Sequence, residues 1–354
     1  MKALFLGACK TMQVFRAVRG SRWRAQRLLI LAYHGISLRD EHEWNNELYM
    51  PQDLFRQRMQ LLQEGSYSVL PLDEAVERLY SGGLPPRAVA LTFDDGFHDF
   101  RAQACPVLAE FGFPATLYLT SYFSVNRYPV FNVFFSYLLW KGRDRTVDLS
   151  EIIPGLGRHS LATDRPAILH SLREYRAKER PDNEALVKMA RSLAVAVGED
   201  YDRLCELGIL HLMSPAEVSE LPRFGVNVQL HTHRHRVPED EALFLREIRD
   251  NRASIAAMGI PGETLTHFCY PDGKYSSSFL PWLKNEDVLT ATTCEAGLAS
   301  KRSSPLLLPR LIDTCNITPL DFEGWLTGTS LFARRSPVSR RNARRVLLQR
   351  LSTL

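Results

Sequence analysis

The run Thr92-Phe93-Asp94-Asp95-Gly96 sets two carboxylates side by side behind small and β-branched residues, and two more polar clusters follow downstream: His231-Thr232-His233-Arg234-His235 and Tyr270-Pro271-Asp272-Gly273. His231 and His235 with one aspartate make a set of two imidazoles and one carboxylate. Such a set leaves coordination positions open for water and substrate, as a catalytic metal site requires. Adjacent aspartates repel, but a cation bound to one lets the other stay ionised as a general base. On this reading Asp95 is a metal ligand and Asp94 takes the proton from metal-bound water, whose pKa a divalent ion lowers from about 16 to about 7. The resulting hydroxide suits hydrolysis of an amide or ester. The zinc-protease helix with two histidines four apart does not apply, because Thr232 stands where its glutamate would be and the run follows a strand-like pattern. Singly, Asp-Asp-Gly and Tyr-Pro-x-Gly are ordinary turn signals.

Their shared position after strand-like runs is what joins them, since the C-terminal ends of all strands in a parallel barrel open on one face. From about residue 28 the chain alternates such runs with helical patterns. LLILAYHGI (28–36), AVALTF (88–93), ATLYLT (115–120), NVQLHTH (227–233), HFCYP (267–271) and VLTATT (288–293) read as strands. Helices are expected around Phe55, Met59 and Leu62, near 100–111, after the capping box Ser214-Pro215-Ala216-Glu217, around 239–257 and around 277–284. Residues 124–213 break the rhythm and read as a mainly helical insertion, with Asp182 capping and Gly198 ending its clearest helix. The chain divides into a basic N-terminal arm (1–27), a barrel domain (28–330) carrying that insertion, and a basic C-terminal tail (331–354).

The net charge of +4 conceals an asymmetry. Residues 1–30 and 334–354 each hold seven Lys or Arg and no acid, which leaves 30 basic against 40 acidic residues elsewhere. Cationic ends with apolar spacing suit peripheral contact with an anionic membrane surface, whereas an acidic body argues against nucleic acid. No apolar run approaches the length of a spanning helix, and a cytoplasmic protein, peripheral at the inner membrane surface if the ends dock, is the expectation. The six cysteines lack any C-x-x-C pair and read as buried free thiols.

The motifs TFDDG, HTHRH and CYPDG, with YHGI near the start and LPRLID near the end, resemble those of the polysaccharide deacetylase family, the NodB-homology domains of metal-dependent carbohydrate esterases. The resemblance runs from about residue 28 to about 325. It implies an α/β fold, a distorted and incomplete TIM-like (β/α) barrel, and removal of N-acetyl groups from amino sugars of a poly- or oligosaccharide or its lipid-linked precursor. It makes Asp94 the base, Asp95, His231 and His235 the metal ligands, and Thr232 a brace for its loop. Tyr270 matches a tyrosine whose backbone N–H helps hold the oxyanion. Zn2+ is the metal implied, with Co2+, Ni2+ or Mn2+ as alternatives. Where many members carry an arginine, this chain has His267, and the late Leu-x-His that supplies the family's general acid has no counterpart. His267 or His233 then becomes the candidate proton donor, and Arg310, with Asp313, a candidate partner near the base. The rival readings are a deacylase of a non-sugar amide or O-acetyl ester, and a saccharide-binding module without turnover.

Overall fold

The computed structural model describes residues 2–126 and 128–333, which separate into two compact units, one of residues 2–125 and 213–333 and one of Asn126–Leu212. Seven strands organise the larger unit: β1 (Leu29–Tyr33), β2 (Ala88–Asp95), β3 (Ala115–Leu119), β4 (Val226–Leu230), β5 (His267–Cys269), β6 (Thr290–Thr292) and β7 (Leu311–Ile312). They lie in the order β6-β5-β4-β3-β2-β1-β7, all parallel, and the short strand Ser68–Val69 pairs with the start of β2. An isolated parallel bridge between Thr292 and Leu308 draws the two ends of the curled sheet together. This is the incomplete α/β barrel implied by the sequence motifs.

The strands form where the sequence supplies continuous apolar runs, because parallel strands are covered on both faces. In β2 every residue from Ala88 to Asp95 is buried. Its outward Phe93 stacks on Tyr33, with ring centroids 5.2 Å apart, and meets Phe55 and Phe100 from the surrounding helices. Its inward Ala88 and Ala90 are small enough to admit Ile30, Tyr118, Cys269 and Leu308, and the helix Leu72–Ser81 lays Leu72, Ala75, Val76 and Leu79 on the same core.

The helix Glu241–Ala257 follows the expected range with Asp240 as its cap, and Ser214 and Glu217 form the expected capping box. In the smaller unit, Asp182 caps the helix Asn183–Val197, which ends at Gly198 in the left-handed region. That unit also contains a two-stranded antiparallel hairpin, Thr146–Asp148 with Arg158–Ser160, unforeseen because three-residue strands carry too little alternation to register. The basic N-terminal segment forms helices Lys2–Thr11, Val14–Arg19 and Arg22–Ala25. Arg24, fully buried, donates to the carbonyls of Leu326, Arg27 and Ala88, which fixes these helices at the N-terminal ends of the strands. Among the described residues no helix is long and apolar enough to cross a membrane. Residues 334–354, most of the basic tail, lie outside the described residues.

Candidate functional site

Strand register alone brings the three clusters to one level. Asp95 pairs with Leu119, Leu119 with Leu230, and Leu230 with Phe268, so Asp95, His231 and Cys269 emerge together at the C-terminal ends of β2, β4 and β5. Regular alternation would send Asp94 and Asp95 to opposite faces of the sheet. Asp95 escapes it by adopting a left-handed φ of 74°, and Gly96 follows at 92°. A Cβ at Gly96 would lie 2.3 Å from Leu119 Cδ1, so only glycine fits behind the aspartates. Thr232, His235 and Asp272 also have positive φ. Non-glycine residues rarely accept such backbone strain, and its concentration in the three loops marks a place where side-chain aim is specified.

Asp95, His231 and His235 converge there, each offering a ligand atom within 4.8 Å of the others. The Nε2 atoms of both histidines lie 3.3 Å from Asp95 Oδ1, yet that buried oxygen has no hydrogen-bond partner. His231 Nδ1 is 2.8 Å from the Cys269 carbonyl. A carbonyl only accepts, so the ring proton sits on Nδ1 and the Nε2 lone pair faces Asp95. An ionised oxygen and an imidazole lone pair aimed at each other in a buried position is costly unless a cation lies between them. The donor set thus fits a divalent metal.

Asp94 occupies the inner face beside this cluster. Arg310 Nη1 and Nη2 each lie 2.7 Å from one of its carboxylate oxygens, and Nη1 is also 3.2 Å from Thr92 Oγ1. Burial tends to raise the Asp94 pKa, but the Arg310 charge and hydrogen bonds outweigh it and hold the carboxyl below its ordinary value. Asp313 does not share this contact, because it accepts instead from Arg58 Nε at 3.0 Å.

The second-motif loop is fastened to the helix Glu241–Ala257. Asn251, fully buried, accepts from the His231 N–H and donates to the Leu119 carbonyl and to Ser121 Oγ. Glu247 receives the backbone and side chain of Arg234. Thr232 Oγ1 accepts from the Arg236 N–H. His233 turns aside to Ser121 Oγ at 2.9 Å and lies edge-on to Tyr122.

Two expected residues are placed elsewhere. The Tyr270 N–H donates to the Thr292 carbonyl at 3.2 Å and its hydroxyl to the Leu306 carbonyl, so neither is directed at the metal-type cluster. His267 lies two residues before Cys269 on β5, about 7 Å deeper in the barrel, with Nδ1 2.5 Å from Thr290 Oγ1. Burial lowers its pKa to about 4, and Asp73 is the charge that opposes this. The structure therefore does not bring His267 to the carboxylates.

A residue not singled out from the sequence stands there instead. Tyr33 pairs with Phe93, so the next residue, His34, comes alongside Asp94, and its Nε2 is 3.9 Å from Asp94 Oδ2. It is partly exposed at its side chain, and its Nδ1 is buried without a partner. The signal for it was present: Tyr33-His34-Gly35 is a polar residue directly after a strand, as in the other three loops. Asn251 gave a fainter one, a polar residue on the buried stripe Phe244, Ile248, Ile255. All six cysteines are free, although only Cys9, Cys105 and Cys269 are buried.

An incomplete parallel barrel with a buried carboxylate–imidazole cluster at its strand ends defines a class of α/β-barrel proteins whose site is assembled from loops. The family model for Polysaccharide deacetylase matches residues 81–289. The chain belongs to the polysaccharide deacetylase family. YxkH of Bacillus subtilis, a polysaccharide deacetylase by its name, is 35% identical over 94 residues, 26% of this chain and 32% of that protein. The aligned part therefore spans about a third of the curated relative's length. Among solved structures, the fold is similar to that of the Streptococcus pyogenes deacetylase PplD in complex with acetate (TM-score 0.55, 19% identity, 83% of this chain and 96% of that one). It is also similar to IcaB from Ammonifex degensii (TM-score 0.53, 16% identity, 87% and 97%). A third is a de-N-acetylase from Aggregatibacter actinomycetemcomitans (TM-score 0.51, 12% identity, 84% and 99%).

Proposed function

We propose that this protein is a metal-dependent hydrolase that removes N-acetyl groups from amino sugars of a poly- or oligosaccharide. The observation that carries the reading is the partnerless Asp95 Oδ1 facing His231 Nε2 and His235 Nε2 at 3.3 Å. Asp95, His231 and His235 hold the metal, most readily Zn2+ for two nitrogens and one oxygen. When bound, it supplies Lewis acidity toward the amide carbonyl and acidifies water. Asp94 accepts the proton of the attacking water, and Arg310 keeps it ionised and fixed in aim through the two-point contact. His34 faces the same carboxylate from the strand next door; burial lowers its pKa, so it starts neutral, takes up the proton that Asp94 has accepted and passes it to the departing amine. In that role it replaces the late histidine missing from the sequence.

The test is metal content and acetate release on N-acetylglucosamine oligomers for the intact protein, Asp94→Asn and His231→Ala. The reading expects about one divalent ion per chain, acetate from the intact protein, and loss of turnover in both variants. Metal should be lost chiefly in His231→Ala. Chelation should abolish acetate release and added Zn2+ restore it. Metal binding without acetate release from any saccharide would point to another amide or ester substrate.

A further inference from the structure

The cationic N-terminal helices pack beside the last described helices of the chain. Helix Lys2–Thr11 packs on helix Pro319–Thr327 through Leu6, Cys9 and Leu320, and it also contacts Ser330–Ala333. Directly after Ala333 the sequence continues with seven arginines and no acid as far as residue 354. With Leu6 and Cys9 turned to the body, the opposite stripe of the first helix, Leu4 and Ala8 with Met12 just beyond, faces out at the four-residue spacing of one helical face. Leu4 is 80% exposed and Met12 75%; Phe5 and Phe332 are exposed as well, and the Phe332 ring lies against Trp23. Arg16 and Arg22 are exposed nearby, while Lys10 is paired with Glu323 at 2.7 Å.

We propose that this face docks on an anionic lipid bilayer, with Leu4, Phe5, Met12 and Phe332 entering the headgroup boundary and Arg16 and Arg22 lying among the headgroups. An apolar stripe flanked by cations gains on both counts at such a surface. On a nucleic acid the stripe would gain nothing, and a second copy of the chain would bring like charges together. The docking does not depend on the reaction assigned above. It does set an orientation, because Arg24 ties these helices to Ala88 whereas Asp94 lies six residues further along β2, about 20 Å away at the rise of a strand. The site opens away from the bilayer, toward saccharide that stands clear of it.

The experiment is co-sedimentation of the full chain with vesicles of phosphatidylcholine plus phosphatidylglycerol and with phosphatidylcholine alone, at low and high salt. Binding is expected to the first only and to weaken with salt. Leu4→Gln/Met12→Gln and Arg16→Glu/Arg22→Glu should each lower the bound fraction by about tenfold. Because Leu4 and Met12 make few contacts with the body, thermal unfolding should be unchanged; if that variant is destabilised, the arginine pair decides. Equal binding to both vesicle types, no binding to either, or undiminished binding by the variants overturns the proposal.

Discussion

Arg310 grips Asp94 with both terminal nitrogens, each 2.7 Å from a different carboxylate oxygen, and neither side chain reaches solvent to any useful extent. A fork-to-fork contact fixes direction as well as charge, which a lysine cannot do. Arg310→Lys is therefore expected to lower kcat/KM by about a hundredfold while leaving metal content intact. Since the Arg310 interaction is what outweighs burial at Asp94, its weakening raises the Asp94 pKa. The acidic limb of the pH profile should then move to higher pH. An unmoved limb would detach Arg310 from the base. Arg310→Met leaves a buried carboxylate unpaired and should cost about 3–5 kcal/mol of stability, readable in urea unfolding.

The sequence alone offered the proton-donor role to His267 or His233, and the proposed mechanism gives it to His34. His34 Nε2 lies 3.9 Å from Asp94 Oδ2, whereas His267 is bonded to Thr290 deeper in the barrel. With His34 as the acid, His34→Gln should lower kcat by about a hundredfold or more with the metal retained. His267→Gln should stay within about threefold of the parent. Acetate release with metal analysis on both variants checks this, and the reverse pattern would return the acid to His267.

The parts of the fold legible in the sequence were those in which one local signal had no competitor. The apolar runs of β1 to β4 read as buried strands, and Ser214-Glu217 and Asp182 read as helix caps. The cluster Asp95, His231, His235 was legible because each residue follows a strand, and register does the rest. Tyr270 and His267 failed for a different reason. A backbone N–H is spent where the ladder needs it, here on Thr292, and a residue's depth along a strand depends on where that strand starts. Neither is written in residue type. The pairing of Arg310 with Asp94 spans most of the chain, and only the curl of the sheet reveals it.

Burial of His267 makes a prediction for stability against pH. Its folded pKa is near 4 against an ordinary 6.5, so on acidification the unfolded chain gains a proton first. The unfolded state binds more protons throughout that window, and stability therefore falls as pH drops from about 6.5 to about 4 and levels off below. The full effect is about 3 kcal/mol. In His267→Gln this part of the slope should vanish, which urea titrations near pH 7 and pH 4.5 would measure as a smaller difference than in the parent. An unchanged difference would mean that other groups carry the acid sensitivity.

Asn251 holds three groups at once: it accepts from the His231 N–H at 2.9 Å and donates to the Leu119 carbonyl and Ser121 Oγ at 3.0 and 2.8 Å. It touches none of the carboxylates, so its influence on them must pass through the position of His231. Asn251→Ala frees that histidine's backbone and leaves two buried acceptors short of a donor, for about 1–3 kcal/mol of stability. Metal affinity should fall by about 10- to 100-fold, as for other residues that orient a ligand. A purely structural role would lower the melting temperature and leave the affinity of the folded protein unchanged. Competition with a chelator, read well below the unfolding transition, separates the two. Excess metal should then rescue kcat in Asn251→Ala, because Asp94, Arg310 and His34 keep their places, whereas Asp94→Asn gains nothing from added metal.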